Sequence, residues 1–204
     1  MPKRHYPPFD KLSENLIRVM DEVTATIDKA GIQYVVFAGV AAKLYGSQRE
    51  LSDDVDLMVK DSNLESLRDV FKQYGAVLRD YESTGIVSHM VSFERDGVGV
   101  DIVGNCRILQ EFVYTPDDLV FNKRRIINMT DDRQIALASP EDVFVFKALS
   151  QRGRDVGKFD IDDAVAIFNS QGLDFDYVAD RAKACNGYDR VMKFIEHQGV
   201  LIQQ

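Results

Sequence analysis

The sequence predicts an α+β protein, in which a mixed, twisted sheet flanked by helices is followed by a helical C-terminal portion. Three observations favour this fold class. One-sided helical patterns alternate with short apolar runs typical of strands up to about residue 138. From Ser139 onward, the periodic segments are helical. No Pro-, Gly- or Ser-rich linker separates the two parts, so we expect a core over residues 1–138, including an N-terminal helix, and a helical portion over residues 139–204 packed on it.

The first third of the chain alternates between helix and strand. Apolar residues between Leu12 and Ala30 recur at intervals of three and four, which predicts a one-sided helix that Gly31 ends. Tyr34 then opens a continuous run of branched and aromatic residues, which is typical of a buried strand. In order, the predicted elements are a helix over 9–30, a strand over 33–38, a helix over 40–45, a strand over 54–60 and a helix over 64–74.

The middle of the chain is predicted to form two β-hairpins. Asp96 and Gly97 stand between two alternating apolar runs, which is a strong signal for a tight hairpin turn. A second turn is predicted at Thr130 to Asp132, and residues 112–120 are compatible with a helix or a strand. The predicted strands of this part span residues 76–81, 86–95, 98–103, 122–128 and 133–138.

The last part of the chain begins with a strong helix-start signal. Ser139 is a favourable N-cap, Pro140 fits the first turn, and the acidic residues Glu141 and Asp142 suit the positive end of a helix. Four helices are predicted here, over residues 139–149, 160–169, 177–185 and 188–197.

Composition narrows the class of protein. Of the 204 residues, 45% are apolar and 28% are charged, as in a folded globular domain. No apolar run approaches the ~20 residues that span a bilayer. Residues 1–8 lack the apolar stretch of a signal peptide. The two cysteines, Cys106 and Cys185, form no disulfide or zinc pattern. We therefore expect a cytoplasmic protein with no membrane partner. The net charge of −8 disfavours bulk nucleic-acid binding. A bound metal ion would still allow a nucleotide to bind, because it reverses the local sign of the charge.

Two aspartates inside an apolar strand are the most informative feature of the chain. Asp54 and Asp56 are two residues apart, so they point to the same face of the strand, about 7 Å apart along it. Ionised carboxylates are costly to bury unless something pairs with them. Oxygen ligands at this spacing suit one or two hard divalent cations such as Mg²⁺.

A third aspartate strengthens the metal interpretation. Asp101 lies inside another predicted strand, and if that strand is the neighbour of the first, its carboxylate projects toward Asp54 and Asp56. Any one of these residues alone would more often be a strand-end or turn residue. The trio, together with the glycine turn at Gly39, favours a metal site that also accepts a proton from an attacking hydroxyl.

At these residues the sequence resembles the nucleotidyltransferase superfamily with the DNA polymerase β-like fold. Phe37 to Val40, a gap of 13 residues, the Asp-Val-Asp run 54–56 and the later Asp101 match its signature. Where the superfamily usually has Gly or Ser, this chain has Val40, which keeps the backbone amide but lacks a hydroxyl. The pattern is most similar to a small bacterial and archaeal branch, which includes antibiotic nucleotidyltransferases and abortive-infection-type toxins.

Two further segments are similar to that branch. The first is Tyr45-Gly46-Ser47-Gln48-Arg49 ahead of the aspartates, and the second runs from Ser139 through Lys147, Arg154 and Lys158-Phe159-Asp160 to Asp163. The resemblance covers about residues 30–168. It implies transfer of a nucleoside monophosphate from a nucleoside triphosphate (NTP) to a hydroxyl of an unidentified acceptor, with release of pyrophosphate.

The resemblance also implies roles for individual residues. Asp54, Asp56 and Asp101 would be the catalytic carboxylates and would bind two Mg²⁺ ions, and Asp101 would also take the acceptor proton. The backbone at Gly39 and Val40 would approach the phosphates closely.

Arg49 and Lys147 would contact the phosphates. For Arg49, a salt bridge with Asp53 or Glu50 in its own loop is an equal alternative. For Lys147, the alternative is a solvated helix surface.

Several alternatives stay open. The acceptor is a small molecule, a protein side chain or an RNA end. A catalytically silent nucleotide- or partner-binding protein of the same fold would also fit the Val40 departure, and an aspartyl phosphatase or a sugar transferase would also use an Asp-x-Asp pair. Lys158, Asp160 and Asp163 would line an acceptor cleft or cap a helix, and His89 is expected to be a packed, hydrogen-bonded histidine.

Overall fold

The computed structural model of the chain describes residues 9–202, with side chains described up to Gln198. Within this range the predicted α+β fold class is confirmed. The helices are α1 (Glu14–Lys29), α2 (Ala38–Leu44), α3 (Leu64–Val70), α4 (Asp118–Lys123), α5 (Pro140–Ser150), α6 (Asp160–Ser170), α7 (Phe175–Ala184) and α8 (Tyr188–Ile202). The strands are β1 (Tyr34–Val36), β2 (Asp54–Val59), β3 (Val77–Ser83), β4 (Ile86–Arg95), β5 (Val98–Ile108), β6 (Phe112–Tyr114), β7 (Arg125–Thr130) and β8 (Arg133–Leu137).

The strands of the described residues form one mixed sheet, in the order β3-β4-β5-β2-β1-β8-β7, with β6 paired to the end of β5. Strands β2 and β5 run parallel, as do β1 and β8, and the other neighbours are antiparallel. The sequence expectation that the strand of Asp101 lies beside the strand of Asp54 and Asp56 is therefore confirmed.

Both predicted hairpins are present. Asp96 and Gly97 have φ angles of 51° and 78°, and positive φ at both central residues characterises the type I′ turn that suits a tight hairpin. Strand β5 continues to Ile108, beyond the predicted end at Val103, because its last residues pair with β6. The ambiguous segment 112–120 splits into β6 and the start of α4.

Some boundaries differ from the sequence expectation for local reasons. Helix α1 begins at Glu14 rather than at residue 9, because the Ser13 side chain caps it by accepting a hydrogen bond from the Leu16 amide at 3.2 Å. Helix α4 takes residues 118–123, so that strand β7 starts later than predicted. The Asp117 carboxylate caps α4 by accepting bonds from two amides of its first turn.

Helix α5 joins the helical portion to the sheet. All of its residues are buried, and it packs against α2 on one side and against α6, α7 and α8 on the others. A helix with apolar residues around its circumference belongs in an interior. This packing supports our proposal that residues 1–138 and 139–204 fold as one unit.

Two sequence expectations concern membrane spans and a signal peptide. None of the helices in the described range is long and apolar enough to cross a membrane. The expectation that residues 1–8 form no signal peptide falls outside the described residues.

Candidate active site

The three predicted carboxylates line one cleft. On adjacent parallel strands, Asp56 pairs directly with Asp101, while Asp54 pairs with Gly99. Because side chains alternate along a strand, Asp54 and Asp56 share the face on which Asp101 stands. Together they line a cleft of about 610 Å³.

The three carboxylates repel one another in this cleft. Burial, followed by repulsion from Asp54 and Asp101, raises the pKa of Asp56 to about 7, against an ordinary value of 3.8. Burial and the charge of Asp54 likewise raise the pKa of Asp101. The backbone amide of Gly39 donates a hydrogen bond to Asp56 and partly offsets this effect. Repulsion of this kind is relieved when a cation binds between the carboxylates.

The carboxylate oxygens are suitable ligands for Mg²⁺, but they do not form a complete coordination site. Carboxylate oxygens are the ligands that Mg²⁺ prefers. Across the described side chains, 9–198, no group of three or more His, Cys, Asp or Glu residues is arranged to hold a metal ion. The Asp54 carboxylate instead accepts a hydrogen bond from the Ser52 hydroxyl at 2.5 Å. Sharing one cation would therefore require these carboxylates to approach one another.

Of the two predicted residues on helix α2, Gly39 lines the cleft and Val40 does not. Gly39 lines the cleft, and a Cβ at this position would lie 2.8 Å from Nη2 of Arg49, so glycine permits the guanidinium to approach the backbone. The Val40 side chain is only 1% exposed and belongs to the hydrophobic core. The extra bulk of valine therefore does not enter the cleft.

The entry to α2 has an unusual backbone conformation. Ala38, between β1 and Gly39, has a φ of 46°, which residues other than glycine seldom adopt. Such conformations cluster in functional turns. Ala38 also lines the cleft. The sequence does not predict this position, because alanine carries no functional group that would mark a site.

Arg49 reaches across to the helical portion. Its Nε donates to the Asp163 carboxylate at 3.0 Å, and its guanidinium lies over the Phe159 ring at 5.3 Å. Toward its own loop, Arg49 contacts only the backbone oxygen of Glu50. The alternative of a salt bridge with Asp53 or Glu50 is therefore wrong for the described residues.

Lys147 projects from α5 into a buried ion-pair network. It is 5% exposed, and its Nζ lies 2.8 Å from Asp160 and 3.0 Å from Asp163. The solvated-lysine alternative is therefore wrong. Lys147 lines the cleft, and its charge also reaches Asp56 and lowers the pKa of that carboxyl.

A third cation completes this network. Arg152 donates from Nε to Asp160 at 2.5 Å and from Nη1 to the Thr84 hydroxyl at 3.1 Å. Burial alone would raise the pKa of Asp160, but the charges of Lys147 and Arg152 outweigh it and lower that pKa. Asp160 and Asp163 are thus buried ion-pair partners, and not merely helix-capping acids.

Two other residues named in the sequence analysis lie outside the cleft lining. Arg154 is exposed and pairs with Asp162 at 2.9 Å, so the arginine that faces the cleft is Arg152, two residues earlier. His89 lies outside the cleft lining and bonds to Asp61 at 3.1 Å, as expected, but its side chain is 38% exposed, so it is hydrogen-bonded without being packed in the core.

Comparison with solved structures finds the same fold. A Thermotoga maritima protein assigned as a nucleotidyltransferase has a TM-score of 0.51 and 21% identity, over 63% of this chain and 80% of that one. The solution structure of the antibiotic-resistance factor ANT(2″)-Ia has a TM-score of 0.54 and 13% identity, over 91% of this chain and 99% of that one. The crystal structure of ANT(2″)-Ia with adenylyl-2″-tobramycin gives 0.52 and 14%, over 83% and 96%.

Sequence comparison decides the family. No curated protein sequence matches this chain. The family described as "nucleotidyl transferase of unknown function (DUF2204)" matches residues 16–197, which is most of the chain. The resemblance to nucleotidyltransferases is thereby confirmed, and the protein belongs to this nucleotidyl transferase family.

Proposed function

We propose that the protein is a Mg²⁺-dependent enzyme that transfers a nucleoside monophosphate from an NTP to an acceptor hydroxyl and releases pyrophosphate. One observation carries the proposal. The parallel register of β2 and β5 sets Asp56 against Asp101, with Asp54 in the same cleft, opposite the cations Arg49 and Lys147. Family membership supports the class of reaction.

The carboxylates divide the chemistry between binding and proton transfer. Asp54, Asp56 and Asp101 would hold Mg²⁺, which would supply positive charge to offset the triphosphate and the departing pyrophosphate. The acceptor oxygen forms a bond to the α-phosphorus as the bond from that phosphorus to the bridging oxygen breaks. Asp101 takes the proton of the acceptor hydroxyl.

The cations near α2 and α5 suit the phosphates. Three cations, Arg49, Lys147 and Arg152, share the two carboxylates Asp160 and Asp163, so the network carries one surplus positive charge. A partly satisfied cation beside a cleft can bind phosphate oxygens without leaving a buried charge unpaired. The backbone amides at the start of α2 add donors on the same side.

A catalytically silent nucleotide- or partner-binding protein is the second candidate. The observation that favours it is the lack, in the described residues 9–198, of a preformed group of three metal ligands. Val40 no longer favours it, because its side chain lies in the core. We also propose a cytoplasmic location, since Cys106 and Cys185 are buried free thiols, as suits a reducing compartment.

The position of phosphate cleavage tests the proposal. The protein is incubated with each NTP labelled at the α-phosphate, with Mg²⁺ and a small-molecule extract of the source cells as the acceptor pool. We expect pyrophosphate and a new labelled product, with the rate falling at least about a hundredfold in Asp56→Asn. Asp53→Asn, an exposed neighbour outside the cleft lining, is the control. Full turnover in Asp56→Asn, or release of nucleoside diphosphate instead, would contradict the proposal.

A further inference from the structure

The cleft continues well beyond Asp101. In the sheet order, α2 and the proposed phosphate side lie toward β1 and β2, whereas β5, β4 and β3 extend in the other direction. The cleft-lining residues on these three strands form what we call the outer strip. Besides Asp101, they are Val103 and Cys106 on β5, Ile86, Ser88 and Met90 on β4, and Tyr81 and Ser83 on β3.

The outer strip is an apolar floor with one exposed aromatic ring. Val103, Cys106 and Met90 are almost fully buried and form its base. Ser83, Ser88 and Tyr81 supply its hydroxyls, and the Ser88 hydroxyl contacts the Cys106 sulfur at 3.4 Å. Tyr81 is 45% exposed, so its ring offers apolar surface to the cleft. Thioether and aromatic groups of this kind suit a flat or apolar ligand body.

Arg79 and Lys158 bring positive charge to the outer strip. The Arg79 guanidinium lies 5.0 Å from the centre of the Tyr81 ring, and its charge reaches Asp101. Arg79 and Lys158, which lines the facing wall, make no salt bridge within the described residues 9–198. Among the carboxylates that line the cleft, Asp160 is already neutralised by two cations.

We propose that the outer strip is the acceptor site, and that the acceptor is a small hydroxyl compound with an aromatic or otherwise flat apolar body and an anionic group. This inference rests on the proposed function. The hydroxyl faces Asp101, the body lies on Tyr81 and Met90, and the anionic group pairs with Arg79. A polycationic acceptor would instead meet uncompensated positive charge. During transfer, the acceptor oxygen bonds to the α-phosphorus, pyrophosphate leaves, and Asp101 takes the proton.

Two methionines report separately on the two halves of the cleft. Met58 on β2 lines the side of Asp54 and Asp56, and Met90 lines the outer strip. In protein labelled with ¹³C at the methionine methyl groups, Mg²⁺ with an NTP should move the Met58 signal. A charge-matched series then tests the acceptor class: para-(hydroxymethyl)benzoate, benzyl alcohol and para-(aminomethyl)benzyl alcohol. We expect the anionic compound to move the Met90 signal and to bind about tenfold more tightly than the cationic one.

Variants separate the site from a general surface effect. Tyr81→Ser and Arg79→Ser should each weaken binding of para-(hydroxymethyl)benzoate about tenfold without altering the Met58 response to Mg²⁺ and NTP. The matched control is Tyr188→Ser, because Tyr188 is 40% exposed and lies beneath the Lys183 cation at 5.5 Å, far from the cleft lining.

The outcomes distinguish this inference from the proposed function. If Met58 responds but the anionic compound leaves Met90 unmoved up to about 10 mM, the acceptor class is wrong while the nucleotide site stands. Equal or tighter binding of the cationic compound overturns the inference in the same way. If Met58 does not respond to any NTP with Mg²⁺, the proposed function itself fails.

Discussion

Replacing Asp56 with asparagine should stabilise the metal-free protein, even though it removes a residue of the proposed active site. Asparagine has nearly the same shape, and its oxygen can still accept the hydrogen bond from the Gly39 amide. It cannot ionise, so it removes the repulsion from Asp54 and Asp101. Residues that crowd like charges into a cleft for function commonly cost stability.

The magnitude follows from the pKa of Asp56. A rise from 3.8 to about 7 means that ionising this carboxyl costs up to ~4 kcal/mol in the folded protein, at about 1.36 kcal/mol for each pKa unit. Water in the open cleft hydrates the carboxylate and reduces this cost, so we expect Asp56→Asn to add about 1–3 kcal/mol above pH 7. At roughly 2–4 °C per kcal/mol for a chain of this size, Tm should rise by several degrees.

The pH dependence gives the sign of the effect. An acid whose folded pKa is raised destabilises the folded state as it ionises, so wild-type stability falls as pH rises from about 4 to about 7. Thermal unfolding in the presence of a chelator should therefore show equal Tm values for wild type and Asp56→Asn near pH 4, and a widening gap up to pH 7. A gain that is the same at every pH, or a lower Tm for the variant above pH 7, would refute the reasoning. Asp53→Asn should change little at any pH.

Four further substitutions have definite expectations. Lys147→Met leaves two buried carboxylates without their shared cation. It should lower the free energy of unfolding in urea by about 3–5 kcal/mol, or prevent folding altogether, and a loss below about 1 kcal/mol would contradict the network. Arg152→Ala should weaken NTP binding and lower Tm, whereas Arg154→Ala, which breaks only an exposed pair, should leave both unchanged in calorimetry. Gly39→Ala pushes against the Nη2 end of the Arg49 side chain, so NTP affinity should fall about tenfold while Tm changes little; unchanged affinity by titration calorimetry would argue against phosphate binding there.

Local patterns predict much of this fold, because many of its elements follow from short-range rules. The Asp96-Gly97 turn needs positive φ at two adjacent residues, which those residue types tolerate. The alternation around Asp56 and Asp101 indicates which face each carboxylate occupies, and pairing of their strands brings the two together. Boundaries were less predictable, as at α4, where a cap formed by Asp117 overrides a strand-like apolar pattern.

The ion-pair network beside the cleft could not be predicted from local sequence patterns. Arg49 and Asp163 are 114 residues apart, and no periodicity reports such a contact. Lys147 did carry a signal, since a lysine in a helix that is apolar on every side is buried and therefore paired. Arg152 and Arg154 lie in a short loop, where neither a helical nor a strand period indicates which side chain turns inward.

The most direct test of a Mg²⁺ and nucleotide site at these aspartates is thermal stabilisation by each NTP, with and without Mg²⁺. Wild type, Asp56→Asn and Asp53→Asn are each compared with their own ligand-free Tm. An NTP at 100 times its Kd should stabilise wild type and Asp53→Asn by roughly 2.7 kcal/mol, only when Mg²⁺ is present, and should not stabilise Asp56→Asn. No stabilisation of wild type by any NTP, or the same stabilisation in Asp56→Asn, would contradict the account.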